Sequence, residues 1–314
     1  MDTPNKSGHD DYGGNAMDAI VGKSTLKATP LHPVFVAETS GIDLKNLSQA
    51  DLDAIVAAIN QYGVLVFHND SPLNDEEHME FGRRLGPLQK LKMLTMIGKS
   101  KPRLKYQTMI DVGNLDETGN LLEENDRRRA YHNGNLLWHT DASFDDNRAV
   151  YSMLSAHSIP PAGADTDFAD MRAAYNALPE AKKIAVGGLI AEHSIWYSRA
   201  LGGLTDVTEA EKATRPAAHH KLVHIHPISD KASLYLASHA SHIVGWAFEK
   251  GRALLDELTQ FATQERFVYS HKWRVGDIVM WDNLATMHRA TPFEDTKYKR
   301  DMRRVTVLER EMVD

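Results

Sequence analysis

The stretch Trp138-His139-Thr140-Asp141 carries the strongest structural signal in this 314-residue sequence. In a β-strand, residues i and i+2 point to the same side, so His139 and Asp141 can reach one metal ion while Thr140 faces away. The best candidate for a third ligand is His288, at the end of the stretch 281–288 (WDNLATMH). Two imidazoles and one carboxylate on one side of a metal leave three positions open, as in oxygen-activating non-haem iron(II) sites.

A His-x-Asp triplet alone is weak evidence, and the chain contains a second one, His68-Asn69-Asp70. We interpret the second triplet as the turn after a buried strand at Val64–Phe67, because the Asp-Ser-Pro sequence that begins at Asp70 is typical of a loop. The first triplet with His288 is also compatible with a hydrolytic zinc site. A further alternative is a non-enzymatic jelly-roll module that uses these side chains structurally or binds a ligand without turnover.

Three arginines, Arg300, Arg303 and Arg304, follow His288 near the start of the last predicted strand. A guanidinium presents a fork of N–H donors that binds carboxylates in bidentate fashion. A keto diacid such as 2-oxoglutarate, bound to iron through its keto acid end, needs a cation for its far carboxylate. A hydrolytic zinc site would give these arginines no cosubstrate to bind. The simpler alternative is that residues 297–304 form a solvated basic stretch.

The order of predicted elements indicates the fold class. A capping box at Ser48 and Asp51 predicts a helix that ends at Gly63, and Asn74 predicts the start of a second helix. After His139, short apolar runs between turn residues predict many strands, interrupted by two helices. The strands are predicted at 150–155, 222–226, 233–237, 267–273, 277–281 and 304–308, and the helices at 170–178 and 248–263. Such a pattern is typical of a mainly β fold with α insertions, a barrel or jelly roll.

The interior of the sequence shows no linker or internal repeat, so we expect one domain at 26–314. Residues 1–25 are rich in Gly, Asp, Asn and Ser without periodicity, which predicts a flexible tail. Residues 111–136 are polar with scattered Gly and Asn, which predicts a long loop of the kind that is functional or mobile.

The composition excludes several function classes. The chain has no cysteine, so disulfides, thiolate ligands and cysteine nucleophiles are excluded, and any metal site must use His, Asp or Glu. A net charge of -7 gives no overall attraction to nucleic acid or anionic membranes. The polar N-terminus predicts no signal peptide, and no apolar run is long enough for a membrane span. We therefore expect a cytoplasmic protein with a small-molecule substrate, and a homo-oligomer.

The chain resembles the taurine and 2,4-dichlorophenoxyacetate dioxygenase family of iron(II)/2-oxoglutarate enzymes, from about Leu31 to Leu308. The order and spacing of several short motifs carry the resemblance. They are Trp138-His139-Thr140-Asp141, Gly163-Ala164-Asp165-Thr166, Trp281-Asp282-Asn283 with His288, and Arg300-Asp301-Met302-Arg303-Arg304. The resemblance implies a double-stranded β-helix, with Fe(II), 2-oxoglutarate and O₂ as the reacting partners of the substrate.

The resemblance also implies a role for each matching residue. His139, Asp141 and His288 match the iron ligands. Thr166 matches a threonine that contacts 2-oxoglutarate, and Arg300 matches the arginine that pairs with its distal carboxylate. Two further positions match substrate contacts: Arg304 the arginine that reaches the acid group, and Asn135 a residue lining the pocket.

One departure from the taurine-specific members bears on the substrate. Those members use a His and a Tyr after the second helix, and the matching positions here are leucines, Leu91 and Leu94. This difference favours a more apolar ligand, and an aryloxyalkanoate such as 2,4-dichlorophenoxyacetate is the best candidate. Hydroxylation beside its ether oxygen would release a phenol and an oxo acid. The alternative within the family is an alkyl sulfate or sulfonate, since Arg304 would bind a sulfur oxyanion equally well.

Overall fold

A computed structural model describes residues 23–90 and 102–312 of the chain. Within these residues the strands are β1 Lys27–Pro30, β2 Ala37–Ser40, β3 Val64–Phe67, β4 Ile110–Asp111, β5 Ala149–Ser158, β6 Thr166–Asp170, β7 Ile190–His193, β8 Ala218–Lys221, β9 Val223–Ile225, β10 Ala232–Leu234, β11 Ala240–Ile243, β12 Val268–His271, β13 Ile278–Asp282, β14 Thr286–Ala290 and β15 Asp301–Leu308. The helices are α1 Gln49–Tyr62, α2 Asp75–Arg83, α3 Arg127–Asn133, α4 Met171–Asn176, α5 Glu180–Val186, α6 Ile195–Leu201, α7 Glu209–Ala213 and α8 Phe248–Ala262.

Local sequence signals account for the first helices and the strand between them. The Ser48 hydroxyl accepts from the backbone N–H of Asp51, whose carboxylate accepts in return from the backbone of Ser48, which is the predicted capping box. Gly63 ends α1 in the left-handed region at φ 75°, which a glycine adopts without steric cost. Asn74 caps α2 in the same reciprocal way. The predicted strand Val64–Phe67 is confirmed as β3.

A seven-stranded sheet in the order β1-β2-β3-β13-β5-β15-β4 dominates the fold. Successive side chains along each strand point to opposite faces, and the packing partners of β13 show this directly. Ile278 and Met280 pack on one face with residues of α1 and α2, whereas Val279 and Trp281 pack on the other. We call the second face the inner face, since it packs against β6 through Phe168.

A three-stranded sheet, β12-β6-β14, lies across the inner face. In its register His288 of β14 pairs with Phe168 of β6, so both side chains share one side of this sheet. The opposite side carries Ala169 and Met287, which join the core formed with α4 and α8. Smaller sheets, β11-β7-β8 and β10-β9, complete the described fold. Helices packed around sheets agree with the mainly β class with α insertions that the sequence predicts.

The structure corrects two local predictions. The polar segment 111–136 is not simply a loop, because it contains α3, capped by Asp126, and a 3₁₀ helix at Gly134–Leu136. His139 lies in a single isolated β-bridge rather than in a regular strand, because the chain turns at Ala142, which has a φ of 51°. Most of the predicted tail, residues 1–22, lies outside the described residues. Within the described part, no helix is long and apolar enough to cross a bilayer.

Several buried histidines outside the candidate site make the stability of the fold dependent on pH. Burial lowers the pKa of His78 and of His193 to about 3, and that of His224 to about 4. Their folded pKa values lie below the unfolded value near 6.5, so the unfolded chain binds more protons as the pH falls. At pH values below about 6.5, we expect the free energy of unfolding to decrease as the pH is lowered, by up to about 1.4 kcal/mol per pH unit for each such histidine.

Urea unfolding followed by circular dichroism at about pH 7.5 and about pH 5.5 measures this slope. His78→Leu is the matched variant, because it removes one buried imidazole and replaces it with an apolar side chain that does not titrate. Its slope should be shallower than that of the wild type by the contribution of one proton. A midpoint that does not change between the two pH values would contradict the prediction.

Candidate active site

His139 and His288 are brought together by the backbone. The N–H of each residue donates to the carbonyl oxygen of the other, and both N···O distances are 2.9 Å. This pairing ties the segment that follows the 3₁₀ helix to the edge of β14 opposite β6. Thr140 points the other way, and its hydroxyl donates to the Leu236 carbonyl at 2.9 Å. The side chain of Thr140 therefore points away from those of His139 and Asp141, as the sequence predicts, although this stretch pairs with β14 through a single β-bridge.

The side chains of His139, Asp141 and His288 converge on one point. Each offers a ligand atom, and these atoms all lie within 4.8 Å of one another. The Nε2 atoms of His139 and His288 lie 3.8 Å and 3.7 Å from the two oxygens of Asp141. The Nδ1 of His139 lies 2.8 Å from the Leu137 carbonyl, so this nitrogen carries the proton and the Nε2 lone pair faces the cluster. Two nitrogens and one oxygen suit a divalent transition metal, including iron(II).

The electrostatics of the cluster keep its ligands in the forms that bind metal. Burial lowers the pKa of His139 to about 4 and holds the pKa of His288 well below its usual value, so both imidazoles are neutral at pH 7. Burial alone would raise the pKa of Asp141, but Arg304, the two histidines and a serine hydroxyl outweigh that effect and lower it. Two neutral imidazoles and one ionised carboxylate are the forms of these ligands that bind a divalent metal.

A hydrogen-bond network outside the cluster fixes the position of Asp141. One carboxylate oxygen accepts from the Ser152 hydroxyl at 2.8 Å, and the other pairs with a guanidinium nitrogen of Arg304. Asn283 accepts from the backbone N–H of Asp141 and donates to Ser152. Strand alternation places Ser152 in β5 and Arg304 in β15 on the inner face. Partners of this kind orient a metal-binding carboxylate before the metal arrives.

A cavity of about 200 Å³ opens beside the cluster and is lined by both His139 and Asp141. Much of its wall is apolar, and Leu104, Met109, Val112, Leu115, Leu122 and Phe144 contribute to it. Several cations also face it, among them Arg304 of β15 and Arg199 of α6. The segment 102–135 supplies many of the lining residues, so the polar region that the sequence singles out does form part of the site. An apolar space with basic groups next to a metal cluster suits an organic acid.

Arg300 lies outside this cavity, in the wall of a neighbouring one. The described part of the chain provides Arg300 with a carbonyl acceptor, Val112 at 2.8 Å, but no acidic partner. Its burial is nearly complete and lowers its pKa to about 10. A buried guanidinium without a counter-charge is costly, so an anionic ligand at this position would stabilise it. Val112, Leu122, His132 and Asn135 line both cavities, which are therefore adjacent.

The remaining predicted site residues differ in how clearly they relate to the cluster. Asn135 lines the cavity beside it. Thr166 is buried two residues before Phe168 on the same side of β6, and its hydroxyl accepts from the Trp273 indole N–H at 3.0 Å. Leu91 and Leu94 lie outside the described residues. Arg303 points to the outer face, where it pairs with Asp301 and with a carboxylate of α2.

Sequence reasoning missed three features of the site. Ser152 could have been found, because it lies in a predicted strand at an inner-face position. Arg199 and His239 gave no signal, since each is a single polar residue, one in the short helix α6 and the other in the turn before β11, and their positions depend on tertiary packing. The His239 ring lies 5.9 Å from the ring of His139, and its Nδ1 lies 2.7 Å from the Ser198 hydroxyl of α6. A helix far along the chain thus reaches the cavity next to the cluster.

Comparison with known proteins agrees with this geometry. Residues 27–306 match the model of the family described as taurine catabolism dioxygenase TauD, TfdA family. An alpha-ketoglutarate-dependent 2,4-dichlorophenoxyacetate dioxygenase of Cupriavidus pinatubonensis is 40% identical over 91% of this chain and 98% of its own length. An (S)-phenoxypropionate/alpha-ketoglutarate-dioxygenase of Sphingobium herbicidovorans is 35% identical over 85% of this chain and 90% of its own.

A solved structure extends the likeness to three dimensions. The crystal structure of AAD-2 in complex with Mn(II) and N-oxalylglycine superposes with a TM-score of 0.87 and 40% identity, over 91% of this chain and 99% of that one. The cluster of two histidines and an aspartate and the likeness over nearly the whole fold lead to one conclusion. The chain belongs to the taurine catabolism dioxygenase TauD, TfdA family.

Proposed function

We propose that this iron(II)- and 2-oxoglutarate-dependent dioxygenase oxidises an aryloxyalkanoate such as 2,4-dichlorophenoxyacetate; 2-oxoglutarate is the alpha-ketoglutarate in the names of its relatives. The observation that carries the proposal is the largely apolar cavity with arginines in its wall, directly beside His139 and Asp141. The apolar surface suits an aromatic ring, and the cations suit the acid group. The two relatives described above act on ligands of this chemical class according to their names.

The metal would be held by His139, Asp141 and His288. With 2-oxoglutarate, iron(II) supplies the oxidation of a C–H bond by O₂, as 2-oxoglutarate is converted to succinate and CO₂. The protein contributes neutral imidazoles, an ionised carboxylate and the contacts that orient it. Ser152 and Arg304 hold the two oxygens of Asp141 in place. Burial of the cluster keeps bulk water away from the reacting centre.

Arg300 would bind the distal carboxylate of 2-oxoglutarate, with Thr166 as a second contact. Support for Arg300 comes from its burial without an acidic partner in the described residues, next to the cavity that holds the metal cluster. Support for Thr166 comes from its place on the same side of β6 as Phe168, which pairs with His288. The Thr166 hydroxyl oxygen accepts a hydrogen bond from the Trp273 indole N–H. The hydroxyl proton of Thr166 is therefore available for donation to a carboxylate.

The substrate's carboxylate would meet Arg304, and Asn135 would line the space around its ring. Holding the acid group fixes the neighbouring carbon near the metal position, which favours reaction at that carbon. Hydroxylation there gives a hemiacetal-type product, whose collapse yields a phenol and an oxo acid. The net reaction consumes the aryloxyacetate, O₂ and 2-oxoglutarate and yields the phenol, glyoxylate, succinate and CO₂. The contribution of Leu91 and Leu94 to the pocket stays a prediction.

The sheet arrangement also supports a finer description of the fold. We infer that the seven-stranded sheet and the β12-β6-β14 sheet are the two sides of a double-stranded β-helix, because they share one buried layer and hold the cluster between them. We also infer that residues 26–314 form a single domain. A cytoplasmic location and assembly into a homo-oligomer stay predictions of the sequence.

A turnover experiment tests the substrate. Purified protein with iron(II), ascorbate and 2-oxoglutarate should release 2,4-dichlorophenol from 2,4-dichlorophenoxyacetate and form succinate in equal amount. Alkyl sulfates and sulfonates, assayed in parallel for sulfate and sulfite, are the comparison substrates. Succinate formation driven by a sulfate or sulfonate, without phenol from any aryloxyalkanoate, would overturn the proposal.

A further inference from the structure

Arg199 of α6 is a buried cation in the cavity wall that lacks an acidic partner within the described residues. It is 7% exposed, and no described residue forms a hydrogen bond with its Nε. Its guanidinium carbon lies 4.1 Å from the centroid of the Tyr131 ring. A ring face attracts a cation but does not replace hydrogen-bond acceptors for its N–H donors.

Arg199 differs in this respect from the other arginines that line the same cavity. Each of the others is neutralised by at least one carboxylate in an ion pair. The pairs are Arg103 with Asp111 and Asp301, Arg128 with Asp126, Arg215 with Asp145, and Arg304 with Asp141. Among the arginines described in this wall, Arg199 alone therefore contributes a positive charge that the protein itself does not offset.

The fold holds the Arg199 guanidinium in a prepared position. A Cβ at Gly134 would lie 1.9 Å from Nη1 of Arg199, so the missing side chain of Gly134 makes room for the guanidinium. A Cβ at Gly202 would in turn meet the backbone of Gly134 at 2.8 Å, so α6 and the 3₁₀ helix approach closely here. A buried charge without a counter-ion is costly, and its retention in a shaped space indicates a ligand that supplies the counter-ion.

We propose that Arg199 binds the carboxylate of the substrate and shares it with Arg304, an inference that rests on the function proposed above. One guanidinium nitrogen of Arg304 is already paired with Asp141, whereas its Nε has no partner among the described residues. The Nε of Arg304 can thus donate to the substrate's carboxylate, and Arg199 supplies the positive charge that balances this carboxylate. Contacts from β15 and α6 together would fix the acid group more firmly than either alone.

The other carboxylates that could reach Arg199 are those of 2-oxoglutarate. Arg300, in the neighbouring cavity, is a second buried guanidinium without an acidic partner in the described chain, and it suits the far carboxylate of the cosubstrate. Two uncompensated arginines in two adjacent cavities therefore match two different acids. Because Arg300 is matched to 2-oxoglutarate, Arg199 is assigned to the substrate.

Calorimetric titration separates the two acids without turnover. Protein with Mn(II) is titrated first with N-oxalylglycine, and the loaded protein is then titrated with 2,4-dichlorophenoxyacetate. In Arg199→Met we expect the affinity for the phenoxyacetate to fall about 10- to 100-fold, the range for a lost hydrogen-bonded contact to a charged group. The affinity for N-oxalylglycine should not change. Arg199→Lys, which keeps the charge but loses the fork, should lie between Arg199→Met and the wild type.

Arg148→Met is the matched control. Arg148 also lies near a tyrosine ring, at 5.7 Å from the centroid of Tyr235, but it pairs with Glu309 and does not line the cavity. Its phenoxyacetate affinity should equal that of the wild type. The neutral amide of the substrate adds a second readout. Wild type should bind the amide more weakly than the acid, and this preference for the acid should be smaller in Arg199→Met, which keeps only the contact from Arg304.

Two results would overturn the assignment. One is an unchanged phenoxyacetate affinity in folded Arg199→Met. If Arg199→Met does not fold, the corresponding result is an unchanged phenoxyacetate affinity in Arg199→Lys, combined with equal binding of the acid and the amide by the wild type. The other is an equal loss of N-oxalylglycine affinity. Failure of the proposed function is recognised separately, because it would appear in the wild type as the absence of phenol release.

Discussion

His139→Ala is expected to reduce iron(II)-dependent turnover to a level near background while the protein stays folded. His139 supplies one of three ligand atoms that lie within 4.8 Å of one another, and the remaining two would be a poor site for a divalent ion. Removal of a mere hydrogen-bond partner of a metal ligand costs about 10- to 100-fold in affinity or activity, so loss of a ligand should cost more. Turnover is measured as succinate formed from 2-oxoglutarate in the presence of the substrate.

The fold should tolerate this change because the contact between residues 139 and 288 belongs to the backbone. Both hydrogen bonds of the bridge join N–H and carbonyl groups, which alanine retains. Circular dichroism and retained iron after desalting separate loss of metal from loss of structure. His78→Ala is the matched control, since it deletes a buried imidazole from α2, on the helix-covered face of the large sheet. Full iron-dependent turnover by folded His139→Ala would refute the assignment of the cluster.

The parts of the fold that the sequence predicts correctly are those with local causes. The capping box at Ser48 and the left-handed Gly63 are set by residues within a few positions of each other, so α1 could be located without a structure. The spacing of His139 and Asp141 is also local, because alternate residues of an extended chain share a side. His288 could be recognised only through its order and spacing relative to distant motifs.

The parts that escaped prediction depend on tertiary packing. Arg303 and Arg304 are adjacent and chemically identical, yet strand alternation sends Arg303 to the outer face and Arg304 to Asp141. Arg199 reaches the cavity only because α6 packs against the 3₁₀ helix at Gly134, a contact between distant segments. The helix α3 has few apolar residues, so its sequence gave no periodic pattern and the segment was predicted as a loop.

Arg300→Ala is expected to raise the requirement for 2-oxoglutarate strongly, with a smaller effect on the rate at saturation. Loss of one partner from a buried charge pair costs about 2 to 5 kcal/mol, which corresponds to a rise of about 30-fold to several thousand-fold in the dissociation constant. The KM for 2-oxoglutarate at saturating substrate measures the effect. Arg300→Lys should recover part of the affinity, since it restores the charge without the bidentate fork.

Thermal unfolding gives a readout of Arg300 that does not depend on turnover. Ligand binding raises the melting temperature of the wild type by mass action, and that rise should be smaller in Arg300→Ala at the same 2-oxoglutarate concentration. Without ligand the variant should melt no lower than the wild type, because the mutation removes a buried cation that has no acidic partner among the described residues.

Arg303→Ala is the control for position and charge. It deletes the same side chain three residues further along, but this guanidinium pairs with Asp75 and Asp301 on the outer face. It should therefore lower stability and leave the KM for 2-oxoglutarate unchanged, the opposite pattern to Arg300→Ala. Should Arg300→Ala keep the wild-type KM, the cosubstrate's carboxylate must be held elsewhere. Arg304 would then be the next candidate, since Arg303 lines neither the cavity beside the metal cluster nor the neighbouring cavity that contains Arg300.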